Sequence, residues 1–500
     1  MVSSRSMKAD RCPRVAIVDW CELANVESAL DQVLALMGGL DRFVKPGQYV
    51  LVKPNLVAGA PAETGGTTHV ELVEALVRRI QALRPGRLVV ADGAAVADAP
   101  GTWKLLGYQA MAERTGVEMV DLDRVPHRAV PLDDPVYPGV LAVAEPILEC
   151  DTLISVPCLK THVVCGFTVA IKNAFGTVDQ ATRTRLHREY RVEEAIVDLN
   201  RIRTPDLYVV DGLIGSQGCA GGADFVHPAD ARLMLASDNP VALDAVAVHL
   251  MEQNPNVRYL HWAAEKGLGP EDLNDIEVVG LSLDAARRDY LTPAEQLAQS
   301  MGNVRIVDLD SCTGCRSLVE MTLGRYEDMR LARPLTVVMG GSHQPGKLDP
   351  PAPGEELLVV GDCASKLQHQ GTFIAGCPLD ATVLHEYYRQ AGLVCTRCQP
   401  IVQQALAEVA AEPVYQRLRV MSAADEVYRG PQNSARPKDL TLVVGNCMRH
   451  YYRNSRLRAD QVLGGRGDNV ILVEGCPPSL DALRAALRQL AALDVAVETL

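Results

Sequence analysis

Residues 49–92 read YVLVKPNLVAGAPAETGGTTHVELVEALVRRIQALRPGRLVVAD, which predicts a strand, a helix and a second strand. The two strands are the Val- and Leu-rich segments 49–53 and 87–92, and the helix is 69–83. Its apolar residues share one helix face: Val70, Val73, Leu76, Val77 and Ile80. A helix between two strands usually joins parallel neighbours, so this stretch favours an α/β fold.

The same alternation continues on both sides of this stretch. It predicts further strands at 14–19, 152–157, 206–211 and 232–237, and further helices near 24–37, 192–202 and 240–252. Aromatic residues make up only 4% of the chain, so the core must consist of Val, Leu, Ala and Ile, which suits buried parallel strands. We therefore expect residues 1–300 to form a mainly parallel, doubly wound sheet. Ligands of such sheets bind at the carboxyl ends of the strands.

Composition excludes several classes of protein. The chain has 500 residues and a net charge of −13, which argues against a general nucleic-acid binder. No apolar run has the length of a membrane span, and the polar N-terminus has no signal-peptide core. Fourteen cysteines without a signal peptide indicate a reducing cytoplasm, where thiolates bind metals or react. We expect a cytoplasmic protein that binds neither nucleic acid nor membrane; the oligomeric state stays open.

The C-terminal half contains a duplicated cysteine pattern. LVVGDC at 358–363 is followed by GCP at 376–378, and LVVGNC at 442–447 is followed by GCP at 475–477. A C-x-x-C pair precedes each set at a similar distance. Two sets of four cysteines result: Cys312, Cys315, Cys363 and Cys377, then Cys395, Cys398, Cys447 and Cys476. The pattern predicts two small α/β cysteine-rich repeats, at 301–390 and 391–500.

Two four-thiolate metal sites explain this duplication better than disulfides do. Four thiolates are the ligand set of a [4Fe–4S] cluster, and a glycine before the last cysteine allows the backbone to approach the cluster closely. Tetrahedral zinc uses the same ligands, but zinc ribbons pair two C-x-x-C hairpins at shorter spacing. Redox-active or simply buried thiols are the third alternative. We expect two [4Fe–4S] clusters, which also favour an oxygen-poor cell.

The N-terminal domain has a first group of polar residues around the exit of strand 49–53. Lys53 and Asn55 follow the strand, and Thr67, Thr68 and His69 precede the next helix. Thr67 or Thr68 fits the N-cap of that helix. A helix N-terminus favours an anion, and Lys53 adds a full positive charge, so this region is a candidate anion site.

A second polar group lies in SVPCLKTH at 155–162 and GFTVAIKNAFG at 166–176, which we expect to form a short loop region. It contains Lys160, His162, Thr168, Lys172 and Asn173. Asp211 begins the glycine-rich stretch 211–218, which can cradle phosphate or simply connect two elements. Three carboxylates can bind a cation or pair with the lysines: Asp92, Asp211 and Asp244.

At these residues the sequence resembles a known family. VLVKPNLV, SVPCLKTHVVCGFTVAIKNAFG, VVDGLIGSQG and LASDNPVALDAVA are similar to the signature blocks of the DUF362 family, a domain of uncharacterised function. The resemblance covers roughly residues 14–280. Members are often fused to ferredoxin-type cluster modules, so the resemblance implies a cluster-binding C-terminal half. The cysteine spacing departs from the compact ferredoxin motif, and the family implies no agreed substrate.

These features make an iron–sulfur oxidoreductase the leading hypothesis. Lys53, Lys160 and Lys172 would bind a small anionic substrate, and His162 would transfer protons. Asn55, Asn173, Thr67, Thr68, His69, Thr168 and Asp211 would complete the site, and a redox partner protein would supply electrons. One alternative is a lyase or hydratase that uses a cluster as Lewis acid or staple; another is an electron carrier or cluster scaffold without its own substrate. No G-x-G-x-x-G follows the first strand, and flavin stays undecided.

Overall fold

The computed structural model divides the chain into two compact units, residues 1–296 and 297–500. It describes all residues except these segments: 1–11, 21–24, 58–59, 94–98, 221–226, 325–329, 332–333, 342–350, 381–382, 385–386, 388–392, 395–400, 402–403, 406–407, 409–417, 422–439, 445–469, 475–478 and 499–500. No helix among the described residues is long and apolar enough to cross a membrane.

The first unit alternates strands and helices along most of its length. Its strands are β1 (Arg14–Asp19), β2 (Tyr49–Pro54), β3 (Arg87–Asp92), β4 (Glu118–Asp121), β5 (His127–Val130), β6 (Leu141–Ala144), β7 (Thr152–Val156), β8 (Cys158–His162), β9 (Gly166–Thr168), β10 (Leu207–Ser216), β11 (Pro228–Ala229), β12 (Leu233–Ser237) and β13 (Glu277–Gly280). Its helices are α1 (Val26–Leu36), α2 (Val70–Ala82), α3 (Ala99–Leu105), α4 (Tyr108–Thr115), α5 (Glu145–Glu149), α6 (Ala170–Asn173), α7 (Gln180–Arg188), α8 (Val192–Ile202), α9 (Pro240–Leu250), α10 (Arg258–Glu265), α11 (Leu283–Ala286) and α12 (Pro293–Met301).

One central sheet organises this unit, with the strand order β13-β1-β12-β10-β7-β2-β3-β4. The sheet is largely parallel, as predicted, but β12 runs antiparallel to both β1 and β10. No α-helix separates β10 from β12 among the described residues, and a parallel pair needs a longer crossover than a returning hairpin. The fold is therefore mixed α/β rather than purely parallel.

Alternating residues of the central strands contribute their side chains to two apolar cores, one on each face of the sheet. Ala16, Val50 and Val52 pack with the buried faces of α1, α2 and α4. Val15 and Leu51 pack on the other side with apolar residues of α6, α8, α9 and α10. Helices thus cover both faces, which leaves the ends of the strands as the place for polar side chains.

The second unit contains two parallel sheets that follow the repeat pattern. Its strands are β14 (Val304–Leu309), β15 (Arg330–Leu331), β16 (Leu335–Gly340), β17 (Glu356–Val360), β18 (Thr372–Ile374), β19 (Leu393–Val394), β20 (Leu418–Met421), β21 (Leu440–Val444) and β22 (Val470–Val473). Its helices are α13 (Thr313–Gly324) and α14 (Leu480–Glu498), and a 3₁₀ helix spans Asp362–Gln370. The sheet orders are β14-β16-β17-β18 and β20-β21-β22, with parallel pairs throughout.

The structure differs from the sequence prediction most clearly at residues 158–173. We predicted a loop region there, but the chain forms the β8–β9 hairpin followed by the short helix α6. Gly166 has a positive φ of 75° and begins β9, directly after the turn. The hairpin extends the sheet because β8 pairs with β10. Its regular strands give the polar side chains fixed faces that a loop would not.

Candidate functional site

Lys53 and Asp92 form a buried ion pair at the carboxyl ends of neighbouring strands β2 and β3. The Lys53 ammonium lies 2.6 Å from Oδ1 of Asp92, and both side chains are almost fully buried. The other carboxylate oxygen of Asp92 accepts a hydrogen bond from the Leu56 amide at 2.8 Å. Asp92 therefore pairs with a lysine, one of the two roles that the sequence left open. Gly176 lies against the pair, since a Cβ there would approach the Lys53 ammonium to 2.9 Å.

The β8–β9 hairpin places a row of polar side chains on one face. Cys158, Lys160 and His162 alternate along β8 and so share a face. Thr168 is the direct cross-strand partner of Lys160 and lies on the same face. The Lys160 ammonium donates to the Gly66 carbonyl at 2.9 Å. The hairpin thus brings together three of the predicted site residues: Lys160, His162 and Thr168.

Helix α6 carries two further predicted residues, Lys172 and Asn173. The Asn173 amide donates to the Ser155 hydroxyl at 2.8 Å, and its oxygen lies 3.4 Å from the Lys53 ammonium. Lys172 is half-buried, and its ammonium lies 5.6 Å from the centroid of the Phe175 ring. No described carboxylate lies within ion-pair distance of Lys172. Asn173 therefore supports Lys53, whereas Lys172 has a positive charge available for a ligand.

Asp244 on α9 fixes the position of α6. Its two carboxylate oxygens accept hydrogen bonds from the amides of Ala170 and Ile171 at 2.6 and 3.2 Å. At the other end of this turn, the Asn200 side chain donates to the Ile171 carbonyl at 2.8 Å. Asp244 thus binds backbone amides, and no described lysine lies within ion-pair distance of it. It satisfies orphan amides at the start of the turn that carries Lys172.

The loop from Asn55 to His69 is tied to the sheet by its threonines. The Thr68 hydroxyl accepts from the Asn55 amide at 2.9 Å and donates to the Val156 carbonyl at 2.7 Å, while the Thr67 hydroxyl accepts from the Val57 amide at 3.3 Å. The prediction that one of them caps the next helix is wrong, because the N-cap of α2 is His69. Their hydroxyls bind backbone groups of the loop and of β7 instead.

Asp211 and His69 form a second buried pair, joined by hydrogen bonds. Oδ2 of Asp211 lies 2.6 Å from the His69 amide and 2.8 Å from Nδ1 of the same residue. Burial lowers the pKa of His69, but the hydrogen bond and charge of Asp211 raise it by more, so the net shift is upward. The carboxylate thus stands at the N-terminus of α2, where a negative charge is favourable. Both residues hold α2 and the adjoining loop in place.

The remaining cations are destabilised in their buried positions. Burial, together with the charges of Lys172 and Lys53, lowers the pKa of Lys160 to about 8. Burial and the charge of Lys53 lower the pKa of Lys172. Burial, Lys172 and Lys160 together hold the pKa of His162 well below its usual value. The three lysines and His162 are therefore electrostatic neighbours, and an anion among them would relieve their repulsion.

His162 is arranged as a neutral hydrogen-bond donor. Its Nδ1 accepts from the amides of Val164 and Cys165 at 3.0 and 3.3 Å, so Nδ1 is unprotonated. A neutral imidazole with a free lone pair at Nδ1 carries its proton on Nε2. No described residue is hydrogen-bonded to that Nε2. The side chain can therefore donate to a ligand, whereas a second proton at Nδ1 would displace two backbone bonds.

Three residues near the site were not selected from the sequence. Ser155 accepts from Asn173, and Cys158 contacts the Asn55 amide and the Thr68 hydroxyl, each at 3.6 Å. Ser216 is the register partner of Lys160 on β10. Alternation of polar residues in 155–162 was the available signal for Ser155 and Cys158. Lys53 and Ser155 also line a cavity of about 10 Å³, which has room for roughly one water molecule.

The first cysteine quartet lies along the carboxyl edge of the sheet β14-β16-β17-β18. Cys312, Cys363 and Cys377 are each the third residue after a strand, following β14, β17 and β18 respectively. Cys315 is one turn further along, inside α13, and is 3% exposed. Because the strands are parallel, their carboxyl ends meet at one edge, so residues that are far apart in sequence lie near one another.

Backbone hydrogen bonds tie these cysteine loops together. The Asp362 amide donates to the Gly376 carbonyl at 3.1 Å, and the Gly376 amide donates to the Asp362 carboxylate at 2.8 Å. Gly361 has a φ of 86°, and a Cβ there would come within 2.8 Å of the Cys315 sulfur. Glycine at position 361 therefore allows the backbone to approach the Cys315 sulfur closely. The sequence analysis predicted this role for Gly376, but the atoms nearest to a Cβ there belong to Leu379 and Pro378.

The four thiols lie close enough to influence one another, and two of them, Cys315 and Cys363, accept hydrogen bonds from backbone amides. Burial, with a smaller effect of the other three cysteines, raises the pKa of Cys315 to about 12, although a hydrogen bond from the Leu379 amide lowers it. Burial also raises the pKa of Cys363, against a hydrogen bond from the Gly340 amide. Still, no three described Cys, His, Asp or Glu side chains are close enough to hold one metal ion. The thiolates of a cubane are separated by the whole cluster and surround more space than the ligands of one ion.

The second quartet lies outside the described residues, but the strands before it are described. Cys447 and Cys476 are each the third residue after β21 and β22, the same offset as that of Cys363 and Cys377 from β17 and β18. Each half of the sequence duplication thus has a parallel sheet with its strands in chain order, four strands in the first and three described strands in the second. The placement of Cys395, Cys398, Cys447 and Cys476 stays a prediction.

Residues 50–249 match a family model described as a domain of unknown function, DUF362. This chain therefore contains a DUF362 domain, as its sequence motifs predicted. The matched range includes β2 to α9 and contains Lys53, Lys160, His162, Lys172 and Asp244. The family model ends before the cysteine repeats, so it leaves the predicted fusion to an iron–sulfur module untested.

The proteins similar to this chain include a curated relative and a solved structure. The thylakoid-associated protein sll1697 of Synechocystis sp. is 28% identical over 255 residues, which make up 50% of this chain and 77% of that protein. The lactate racemase apoprotein of Thermoanaerobacterium thermosaccharolyticum aligns over 76% of this chain and 90% of its own, with a TM-score of 0.31 and 9% identity. A superposition with so low a TM-score supports no argument about fold or function.

Proposed function

We propose that this protein is an iron–sulfur oxidoreductase that acts on a small anionic substrate bound by its N-terminal domain. Each cysteine quartet would hold a [4Fe–4S] cluster, which supplies one-electron transfer when bound. A redox partner protein would exchange electrons with the C-terminal unit. The substrate would bind where Lys160, Lys172 and His162 are electrostatic neighbours.

The observation that carries the proposal is the set of four thiols on one sheet edge. Three cysteines follow three parallel strands at one common offset, and two of the sulfurs accept backbone amide hydrogen bonds. Hydrogen bonds to ligand sulfur are a means by which proteins tune iron–sulfur clusters. A disulfide would need neither the common offset from the strands nor these hydrogen bonds, and the four cysteines of this set are free thiols.

The N-terminal residues divide into those that bind and those that position. Lys172 and the Nε2 proton of His162 are available to an anion, because no described carboxylate pairs with Lys172 and no described residue is hydrogen-bonded to Nε2 of His162. Lys53 is neutralised by Asp92, and Asp211 holds the start of α2, so these residues would orient the site. Asn173 links Lys53 to Ser155 in the same supporting role.

Anaerobic purification with metal and sulfide analysis tests the cluster assignment. We expect about eight irons per chain, and a paramagnetic signal from reduced clusters in an EPR spectrum. Cys363→Ser and Cys447→Ser should each lower the iron content to about four per chain, because each removes one ligand from a different quartet. Cys12→Ser, at an exposed cysteine outside both quartets, is the matched control. Stoichiometric zinc in place of iron would overturn the redox assignment.

Stopped-flow absorbance tests the reaction class. Protein reduced under anaerobic conditions is mixed with pools of small carboxylates and phosphate esters, and reoxidation of the iron–sulfur absorbance is followed. We expect one pool to accelerate reoxidation, and Lys172→Met to abolish the acceleration while leaving iron content unchanged. Turnover of an anion without any change in cluster oxidation state would favour a lyase or hydratase instead.

A further inference from the structure

Two buried hydroxyl groups stand on either side of Lys160 without a partner among the described residues. Thr168 on β9 and Ser216 on β10 are the direct neighbours of Lys160 in the sheet, so all three side chains share one face. Both hydroxyls are buried, at 3% and 0% exposure of their residues, and neither is hydrogen-bonded to any part of the chain that the structure describes. A buried polar group without a partner costs free energy, which a ligand in its place would recover.

The charges around this row are unbalanced. The described residues place three ammonium groups here, on Lys53, Lys160 and Lys172, against the single carboxylate of Asp92. Asp211 is engaged by His69, whose pKa it raises, so that pair adds no net charge when His69 is protonated. The nearby Arg183 is neutralised by Asp123 at 2.7 Å. When Lys160, Lys172 and His69 are protonated, the described residues therefore leave an excess of two positive charges here.

We propose that the anion bound here is a dianion whose oxygens accept hydrogen bonds from the hydroxyls of Thr168 and Ser216 and face the ammonium groups of Lys160 and Lys172. The chemical class is a doubly charged oxyanion, such as a phosphate monoester or sulfate. This inference rests on the anionic-substrate part of the proposed function and narrows it. Two charges on the ligand balance the two that the protein leaves over, and the flanking hydroxyls distinguish the site from a simple lysine patch.

The loop that begins after β2 supports this placement. The Gly66 carbonyl accepts from Lys160, and a Cβ on Gly65 would lie only 1.9 Å from the Gly215 carbonyl oxygen. Gly65 has a φ of 73°, so glycine is needed both for its conformation and for its contact with the strand that carries Ser216. The loop therefore fixes the Lys160 ammonium beside the row of hydroxyls.

Isothermal titration calorimetry of the full-length protein with sulfate and perchlorate tests the charge of the ligand. The two probes share a tetrahedral shape and differ by one negative charge. We expect sulfate to bind at one site per chain and perchlorate at least about tenfold more weakly. Lys172→Met should make the affinities for sulfate and perchlorate similar, because it removes the ammonium group that faces the second negative charge of sulfate.

Proton uptake provides an independent readout. Because the pKa of Lys160 is lowered to about 8, a bound dianion should raise it and draw a proton from the buffer near pH 8. Titrations in two buffers with different ionisation enthalpies measure that uptake directly. Lys160→Met should abolish it.

Substitution of the hydroxyls tests the row itself. Ser216→Ala and Thr168→Val should each weaken sulfate binding by about tenfold without lowering resistance to urea, because the removed groups have no described partner in the free protein. Ser237→Ala is the matched control: its buried hydroxyl donates to the Arg14 carbonyl at 2.8 Å, so stability should fall while sulfate binding stays unchanged. Loss of stability in the two row variants would show that they have a structural role and overturn the row as a ligand surface.

The outcomes separate this inference from the proposed function. Equal affinity for sulfate and perchlorate, still dependent on Lys172, would overturn the dianion but retain an anion site. Sulfate binding unaffected by Ser216→Ala and Thr168→Val would overturn the row as the binding surface. Absence of binding by both probes would overturn the anionic-substrate site and this inference together.

Discussion

Asp244 gives the most quantitative test of how the N-terminal site is built. The side chain is fully buried, and its carboxylate accepts two backbone amides at the start of α6. Burial raises the pKa of Asp244 from 3.8 to about 7, although these two hydrogen bonds lower it. Between these values the folded chain keeps a proton that the unfolded chain has already released. Stability should therefore fall as the pH rises from about 4 to about 7, and this effect should then level off.

The expected magnitude follows from the shift. Each pH unit in this window lowers the free energy of unfolding by about 1.4 kcal/mol, so a change from pH 5.5 to above 7 lowers it by roughly 2 kcal/mol. Asp244→Asn has no titrating proton and lacks this dependence. The stability of the wild type relative to the variant should thus be about 2 kcal/mol lower at pH 8 than at pH 5.5. Other titrating groups are common to both proteins and cancel in the comparison.

Urea unfolding followed by tryptophan fluorescence measures this difference in the relevant unit alone. The three tryptophans, Trp20, Trp103 and Trp262, all lie in the first unit. Asp134→Asn is the control, because Asp134 is exposed and Lys266 lowers its pKa, so it is charged at both pH values. If the stability difference between the wild type and the Asp244→Asn variant is the same at both pH values, Asp244 is not a buried carboxylate under the amides of α6.

Three further predictions concern the other polar contacts. Lys53→Met should destabilise the first unit by about 3–5 kcal/mol in the same assay, because it leaves Asp92 buried and unpaired. Adding Asp92→Leu should recover much of this loss of stability. Equal destabilisation by the single and double variants would contradict this reasoning. His69 should stabilise the fold fully below about pH 6.5 and progressively less as the pH rises through its raised pKa. The loss of stability caused by His69→Gln should therefore be larger at pH 6 than at pH 9. A loss of stability that does not depend on pH would argue against the pair with Asp211. Asp362→Asn should retain iron in the first quartet, because asparagine keeps an acceptor for the Gly376 amide and occurs at the matching position of the other repeat, Asn446. Asp362→Ala should lower the iron content. Equal iron content in both variants would show that this hydrogen bond is dispensable.

The strands and helices of the first unit were predictable because their periodicity reports burial directly. Val73, Leu76, Val77 and Ile80 are all fully buried on α2, as the helical spacing of apolar residues indicated. The antiparallel β12 was not predictable in the same way. Its residues are buried on both faces like those of its parallel neighbours, and the direction of a strand leaves no trace in such a pattern.

The residue types of the N-terminal site were predictable, but their roles were not. Lys53, Lys160 and Lys172 look alike in the sequence, yet one is paired with Asp92, one donates to a backbone carbonyl and one has no described carboxylate nearby. These differences depend on which strands become neighbours, and that is a tertiary property. Ser216 was missed for the same reason: it is 56 positions from Lys160 in the chain and becomes its neighbour only through the pairing of β8 with β10.

The duplicated repeats show how strand ends can conserve a site while loops change. In the second repeat the connection between the last two cysteines is longer than in the first, yet each of these cysteines is still the third residue after its strand. The extra residues therefore lie between the cysteine after β21 and the start of β22, where they do not alter either offset. Because parallel pairing fixes the strand ends relative to one another, a constant offset gives the two thiols of each pair a common starting geometry. The length of this connection can therefore differ between the two repeats without changing the offset of either cysteine from its strand.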